Sequence, residues 1–193
     1  MSLLQDAAGL AVFLLAATTL LLLLHLSWRW TLVAIVLQYV AVAWLVSLNW
    51  SIGLAAVKLV VGWMAGAVLT ASQAGSLTQR EVPSGRIFRG LAGGLVLIVI
   101  YVLVTGVNDW FQIDQTVLHG ALVLLGMGLL QIGLTNDPLR TVVGLLTFLA
   151  GFEVLYAALG LSVLVAGLLA LVNLSLALAC AYLVVEPGSR EAG

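Results

Sequence analysis

The chain has 193 residues, of which 63% are hydrophobic, and its only formal charges are seven basic and eight acidic side chains. A soluble domain is typically about 25% charged, whereas this chain is 8% charged. A soluble fold of 193 residues cannot bury so much apolar surface in one core. The composition excludes a soluble enzyme, a nucleic-acid-binding protein and a disordered chain. We therefore predict an all-α, polytopic transmembrane helical bundle that forms one integral membrane domain over residues 1–193.

Seven apolar stretches follow one another along the chain, and a membrane-spanning helix needs about 20 such residues. In chain order the predicted spans are residues 10–25, 31–47, 52–71, 90–105, 116–134, 141–159 and 162–184. The first stretch has no basic residue before it and no cleavage site after it, so we predict a retained helix rather than a signal peptide. Gly160 is predicted to turn the chain between the last two spans. Gly62 and Gly66 form a small-xxx-small pattern, which either packs helices closely within the chain or forms a dimer interface.

The arginines predict how the bundle is oriented in the membrane. With seven spans, every arginine falls in a loop or tail on one side: Arg29, Arg80, Arg86, Arg89, Arg140 and Arg190. The opposite side carries Asp6, Asp109 and Asp114 and no basic residue. Because basic loop residues stay in the cytoplasm, we predict an outer N-terminus and a cytoplasmic C-terminus in a bacterial or archaeal plasma membrane. Six or eight spans would break this segregation.

Two charged residues lie deep within predicted spans, Lys58 in the third and Glu153 in the sixth. Each costs about 2.5–3.5 kcal/mol at a helix centre, so residues of this kind mark ion pathways or ion pairs. Both lie about 4–6 Å to the outer side of their span centres, and they can pair if the two spans are neighbours. Burial disfavours the charged form of each side chain, which makes a proton path our first hypothesis. A static ion pair, or contacts with partner subunits, is the alternative.

Three uncharged polar residues are further candidates for the proton path. Gln38 and Asn173 lie near the middle of spans two and seven, and His119 lies near the outer end of span five. A histidine titrates in the physiological range, whereas interhelical hydrogen bonds are the simpler explanation for the two amides. The sequence holds no nucleotide-binding, Ser-His-Asp, metal, haem or iron–sulfur pattern. We therefore predict no cofactor, no metal site and no catalytic residue.

Several segments resemble the membrane component E of hydrogenase-4. Segment 136–156 (NDPLRTVVGLLTFLAGFEVLY) resembles a basic loop followed by a glycine-containing span with a buried glutamate. Segment 27–30 (SWRW), Gln38 and segment 55–58 (AAVK) resemble the basic turn, mid-span glutamine and intramembrane lysine of that family. The final hairpin is similar to the K-type subunit of complex I and the C-type subunit of Mrp antiporters. In the component E family the buried glutamate falls about one turn earlier, near Leu149, and the second buried glutamate of the K-type subunits has no counterpart in span five.

This resemblance implies a membrane-arm subunit of a redox-driven ion-translocating complex, with no activity of its own. Its partners would be antiporter-like and other membrane subunits and the lipid bilayer, and no nucleic acid is expected. In the K-type and C-type subunits, buried glutamates belong to the central chain of charges in the membrane arm, which agrees with the roles predicted above. An independent small transporter or channel, and a structural or assembly protein, are the alternatives that the residues leave open.

Overall fold

A computed structural model describes residues 8–24, 28–73, 85–111, 113–135, 137–160 and 162–185. Within those ranges all regular structure is helical: α1 Ala8–Leu23, α2 Trp28–Ser47, α3 Ile52–Gln73, α4 Arg86–Phe111, α5 Gln115–Gly133, α6 Pro138–Ala158 and α7 Val163–Val185. Each predicted span coincides with one helix, and the all-α class is confirmed. The largest difference is at α4, which is longer than the predicted span at both ends.

Six helices, α2 to α7, are long and apolar enough to cross a bilayer, so the chain is a multi-pass membrane protein. The first helix is shorter, with 16 residues, which corresponds to about 24 Å. It packs alongside α2 and α5 within the bundle. His25, the predicted end of the first span, lies outside the described residues.

The helices form two layers of three, with α4 at the edge. Helices α1, α2 and α3 are sequential neighbours in the first layer, and α5, α6 and α7 are sequential neighbours in the second. Across the interface α1 packs on α5, α2 on α6 and α3 on α7. Helix α4 packs mainly on α5 and α1, and large apolar side chains along it, such as Ile87, Leu91 and Leu95, are exposed. The two layers therefore meet over three pairs of helices.

Short polar and glycine signals set several helix ends. The Asp114 carboxylate accepts a hydrogen bond from the backbone N–H of Thr116 at 2.8 Å and caps α5. Asp137 caps α6 in the same way. Gly160 has φ +67° in the turn between α6 and α7, a conformation that favours glycine, as predicted. Such caps satisfy backbone donors that the first helical turn leaves unpaired.

Glycines allow α5 and α6 to pack backbone against backbone. A Cβ on Gly128 would lie 2.6 Å from the backbone nitrogen of Phe148, and one on Gly151 would lie 2.8 Å from the carbonyl oxygen of Ala121. No larger residue fits at these distances without a shift of one helix. The tight α5–α6 pair therefore positions the second layer, including Glu153, which follows Gly151 by two residues.

The small-xxx-small pattern of α3 is used inside the chain. Gly62 faces the ring of Tyr39, and a Cβ on Gly66 would lie 3.4 Å from Ile35 Cγ2, so both glycines pack against α2. Close approach of α3 to α2 explains the pattern without a second copy of the chain.

The buried face of α7 consists of small side chains spaced three or four residues apart, namely Ala166, Ala170, Asn173, Ala177 and Cys180. The opposite face carries exposed leucines, including Leu164, Leu171 and Leu178. Because the side chains on the buried face are small, the backbone of α7 can lie close to α3 and α6. A long side chain from a neighbouring helix can therefore reach the main chain of α7.

Candidate functional site

The two charged residues predicted within spans form a buried ion pair between the layers. Nζ of Lys58 lies 2.6 Å from Oε1 of Glu153, and the two side chains are 6% and 1% exposed. Helix α3 packs mainly on α2 and α7 rather than on α6. The Lys58 side chain therefore crosses the layer interface diagonally to reach Glu153, and the pairing that equal depth suggested is present.

Neighbouring groups on α7 make one further contact with each charge. The Lys58 ammonium donates a hydrogen bond to the carbonyl oxygen of Ala166 at 3.1 Å. Asn173 donates its side-chain amide to Glu153 Oε1 at 3.0 Å. One carboxylate oxygen thus accepts from both an ammonium and an amide. A buried charge is tolerated when paired and hydrogen-bonded in this manner.

A second polar contact crosses the same interface nearer the middle of the bundle. The amide of Gln38 on α2 donates to the hydroxyl of Thr147 on α6 at 3.2 Å. Thr147 in turn donates to the carbonyl oxygen of Val143 in its own helix at 2.9 Å. Along α6, Thr147 lies about 9 Å from Glu153. Polar groups therefore line this half of the interface over roughly two helical turns.

Four polar atoms of this region have no hydrogen-bond partner within the described part of the chain. They are Gln38 Oε1, Tyr39 Oη, Glu153 Oε2 and Asn173 Oδ1, and Trp44 Nε1 farther along α2 is a fifth such atom. Tyr39 is buried against Gly62 and lies within electrostatic range of the Glu153 carboxylate. Glu153 and Asn173 at the ion pair, and Gln38 and Tyr39 on α2, thus keep unused hydrogen-bonding capacity.

Aromatic residues form a cluster that includes the α6 residues on either side of Glu153 in sequence. The rings of Trp50 and Tyr156 meet edge to face with centroids 6.5 Å apart. The ring centroids of Phe152 and Tyr156 are 6.2 Å apart. The Tyr156 hydroxyl donates a hydrogen bond to the carbonyl oxygen of Ser162 at 3.4 Å. These contacts connect the α2–α3 loop, α6 and the α6–α7 turn on one side of Glu153.

The structure brings together four of the five candidates that the sequence predicted. Lys58, Glu153 and Asn173 are in direct contact, and Gln38 lies on the same interface. His119 lies on α5, away from these groups, and its ring centroid is 5.8 Å from that of Tyr101 on α4. The roles of all five residues stay predictions.

Three groups at the site did not emerge from the sequence. Tyr39 and Thr147 are common residue types in apolar helices, and their only signal is a position in mid-span close to Gln38 or on the helix of Glu153. The third is the backbone carbonyl of Ala166, which no side-chain pattern can reveal. Among the residues that the structure describes, no group of three His, Cys, Asp or Glu side chains could hold a metal ion.

Comparison with models of protein families, with curated proteins and with solved structures finds no match to this chain. Its class is therefore defined by its own fold and site. It is a multi-pass helical membrane protein in which two three-helix layers enclose a buried Lys58–Glu153 ion pair.

Proposed function

We propose that this protein is a non-catalytic membrane subunit of a redox-driven ion-translocating complex of the hydrogenase-4 and complex I type. In this proposal the Lys58–Glu153 pair is part of its proton path. The observation that carries the proposal is the 2.6 Å ion pair buried between apolar helices, because ionisable residues inside a bilayer usually serve ion movement. The resemblance of segments 27–30, 55–58 and 136–156 to component E of hydrogenase-4 supports this type of complex.

The geometry suggests how the pair handles a proton. A proton that binds Glu153 removes the negative charge that holds Lys58. The ammonium then keeps only the Ala166 carbonyl, and an uncompensated positive charge in a medium of low dielectric constant favours release of a proton. Transfer of the proton from the Glu153 carboxyl to the neutral Lys58 amine restores the ion pair. One proton enters and one leaves in each cycle.

The proposed surroundings are a bacterial or archaeal plasma membrane and antiporter-like neighbouring subunits. The exposed apolar faces of α4 and α7 offer area for both lipid and such subunits. Purification in a mild detergent, followed by mass spectrometry, tests this part of the proposal. Co-purification of antiporter-like and redox subunits is the expected result, whereas a chain that runs alone contradicts it.

The proton path is tested with Glu153→Gln in membrane vesicles that carry the intact complex. Glutamine keeps an acceptor for Lys58 and Asn173 but cannot take up a proton, so proton pumping should fall by about a hundredfold or more. Pumping is expressed per amount of assembled complex, because loss of the buried negative charge also destabilises the chain. The matched control is Asp114→Asn, an acid-to-amide change at an exposed helix cap that asparagine also caps well. Normal pumping by Glu153→Gln would refute the proton role and leave a static ion pair.

A second candidate function is an independent small transporter, and one observation favours it. The polar groups lie between two helix triplets that pack in the same order, α1 on α5, α2 on α6 and α3 on α7. Transporters built from parallel repeats bind substrate near the membrane midplane between the repeats. Ion flux into liposomes that contain only the purified chain, lost in Glu153→Gln, would favour this candidate over the complex subunit.

A further inference from the structure

Within the part of the chain that the structure describes, four buried atoms between the layers have no hydrogen-bond partner: Gln38 Oε1, Tyr39 Oη, Glu153 Oε2 and Asn173 Oδ1. Their residues are each at most 3% exposed, and they come from α2, α6 and α7. More than about 90% of buried polar groups in proteins have a hydrogen-bond partner. Four exceptions in one place therefore require an explanation.

Hydrogen bonds and packing contacts place the residues of these atoms in the same region. Asn173 is hydrogen-bonded to Glu153, and Gln38 is hydrogen-bonded to Thr147 on the helix of Glu153. Tyr39 follows Gln38 in sequence and packs against Gly62, one turn beyond Lys58 on α3. The atoms thus lie along the stretch of about 9 Å between the ion pair and the Gln38–Thr147 contact.

The chemistry of the four atoms selects the kind of ligand. Three are acceptors only, namely the oxygens of two amides and one carboxylate, and Tyr39 contributes the single hydroxyl donor. One donor cannot satisfy three acceptors, so the missing partner must bring donors or positive charge. This excludes an anion or a carbonyl compound and leaves water or a small cation.

Charge decides between these two ligands. Lys58 already neutralises Glu153 at 2.6 Å, so a metal cation at Oε2 would leave a net positive charge in a buried site, which is strongly unfavourable. A water molecule adds no charge, donates two hydrogen bonds and can accept one from Tyr39, and buried waters usually have two to four polar partners. Three acceptors over about 9 Å therefore need at least two water molecules. We propose that internal water binds between the layers at Glu153, Asn173, Gln38 and Tyr39.

This water site adds Tyr39 to the functional residues. It connects the free oxygen of Glu153 to the Tyr39 hydroxyl and to the Gln38–Thr147 contact, and so extends the polar region toward the middle of the bundle. The inference deepens the proposed proton path by naming the groups next to Glu153. It concerns hydration alone, so water is expected at the site whether or not protons move.

A crystal structure of the full chain grown from a lipid phase, at a resolution that shows ordered water, tests the proposal. We expect a solvent peak within hydrogen-bond distance of Glu153 Oε2 and at least one of Tyr39 Oη, Asn173 Oδ1 or Gln38 Oε1. A parallel crystal grown with rubidium in place of sodium separates water from a cation. An anomalous rubidium peak at the site, or a dry site in which the four atoms pair with one another, would overturn it.

Tyr39→Phe tests the assignment of the hydroxyl. The variant should lose the solvent peak next to position 39 and retain the ion pair, because only one oxygen is removed. Tyr156→Phe is the matched control, since the Tyr156 hydroxyl donates to Ser162 outside this region, and it should keep all the solvent peaks. An unchanged peak next to position 39 in Tyr39→Phe would remove Tyr39 from the site. If Glu153→Gln loses pumping and the native chain contains the water, both proposals stand. If Glu153→Gln pumps normally, only the proton path is refuted.

Discussion

Lys58 and Glu153 are each acceptable in the interior only because the other is present. Neither charge can be solvated by hydrocarbon, and the nearest neutral groups, the Ala166 carbonyl and the Asn173 amide, supply one hydrogen bond each. Removal of one partner leaves a buried charge without compensation, which typically costs about 3–5 kcal/mol, whereas removal of both is often much less harmful. The pair should therefore behave as a unit.

We expect Glu153→Leu and Lys58→Met each to lower the free energy of unfolding by about 3–5 kcal/mol. The double variant should lose much less than the sum of the two, because it leaves no unpaired charge. Reversible unfolding in bicelles, followed by tryptophan fluorescence, measures all three. Additive losses would show that the two side chains do not interact in the membrane.

Asn173 should contribute more to stability than Thr147, although both make a single interhelical hydrogen bond. The Asn173 amide donates to a carboxylate, and such charge-assisted bonds contribute about 1.5–3 kcal/mol. The Gln38–Thr147 contact is neutral, and bonds of that kind within membranes average about 0.6 kcal/mol. Asn173→Ala should therefore destabilise the protein more than Thr147→Val in the same unfolding assay, and the reverse order would contradict the assigned partners.

Among the helices, the position of α6 depends on its backbone contact with α5. Gly151 lies on that contact, two residues before Glu153, and a Cβ there would come within 2.8 Å of the Leu125 backbone nitrogen as well as the Ala121 carbonyl oxygen. Neither neighbour is a flexible side chain that can move aside. A shift of α6 would therefore move the carboxylate away from Lys58.

We expect Gly151→Ala to destabilise the protein by about 1–3 kcal/mol, the usual range for overpacking. Proton pumping should fall as well. Gly94→Ala on α4 is the matched control, because nothing lies within 4 Å of its added Cβ. Alanine favours a helix over glycine by up to about 1 kcal/mol, so the control should be neutral or stabilised. Equal effects of the two changes would contradict close α5–α6 packing.

For the whole molecule, the number of crossings decides the sides of the two ends. An odd number of crossings places the N- and C-termini on opposite sides, whereas a bundle in which the 16-residue α1 did not cross would place them on the same side. Arg89 donates to the carbonyl oxygen of Leu134 at 3.4 Å, so the start of α4 and the end of α5 lie at one face. The predicted topology likewise places both of these helix ends on one side of the membrane.

Cysteine labelling in intact cells tests the orientation. In a Cys180→Ala background, single cysteines at positions 2 and 114 should react with an impermeant maleimide added outside, and a cysteine at position 192 should react only after lysis. The native chain is the control: its Cys180 is buried and should remain unlabelled in either case. Labelling of positions 2 and 192 from the same side would show an even number of crossings.

Much of the architecture could be predicted from the sequence because it depends on local and additive free energies. Transfer of about 20 apolar residues into hydrocarbon favours a spanning helix whatever its neighbours are. This is why all seven spans coincide with helices and why Gly160 turns the chain between the last two. The same reasoning separated Lys58 and Glu153 from every other charge, since only these two lie deep in spans.

The tertiary structure decided which groups meet. Lys58 and Glu153 lie on α3 and α6, which are not main packing partners, and their contact depends on the lateral order of all the helices. That order follows from glycines and alanines on several helices at once, a cooperative property that no single segment encodes. It also separates His119 from the ion pair and brings in Tyr39 and a backbone carbonyl. By itself, the sequence determined the membrane helices and the buried charges, because transfer free energy is local. Only packing determined the site, because contacts between helices depend on the arrangement of the whole bundle.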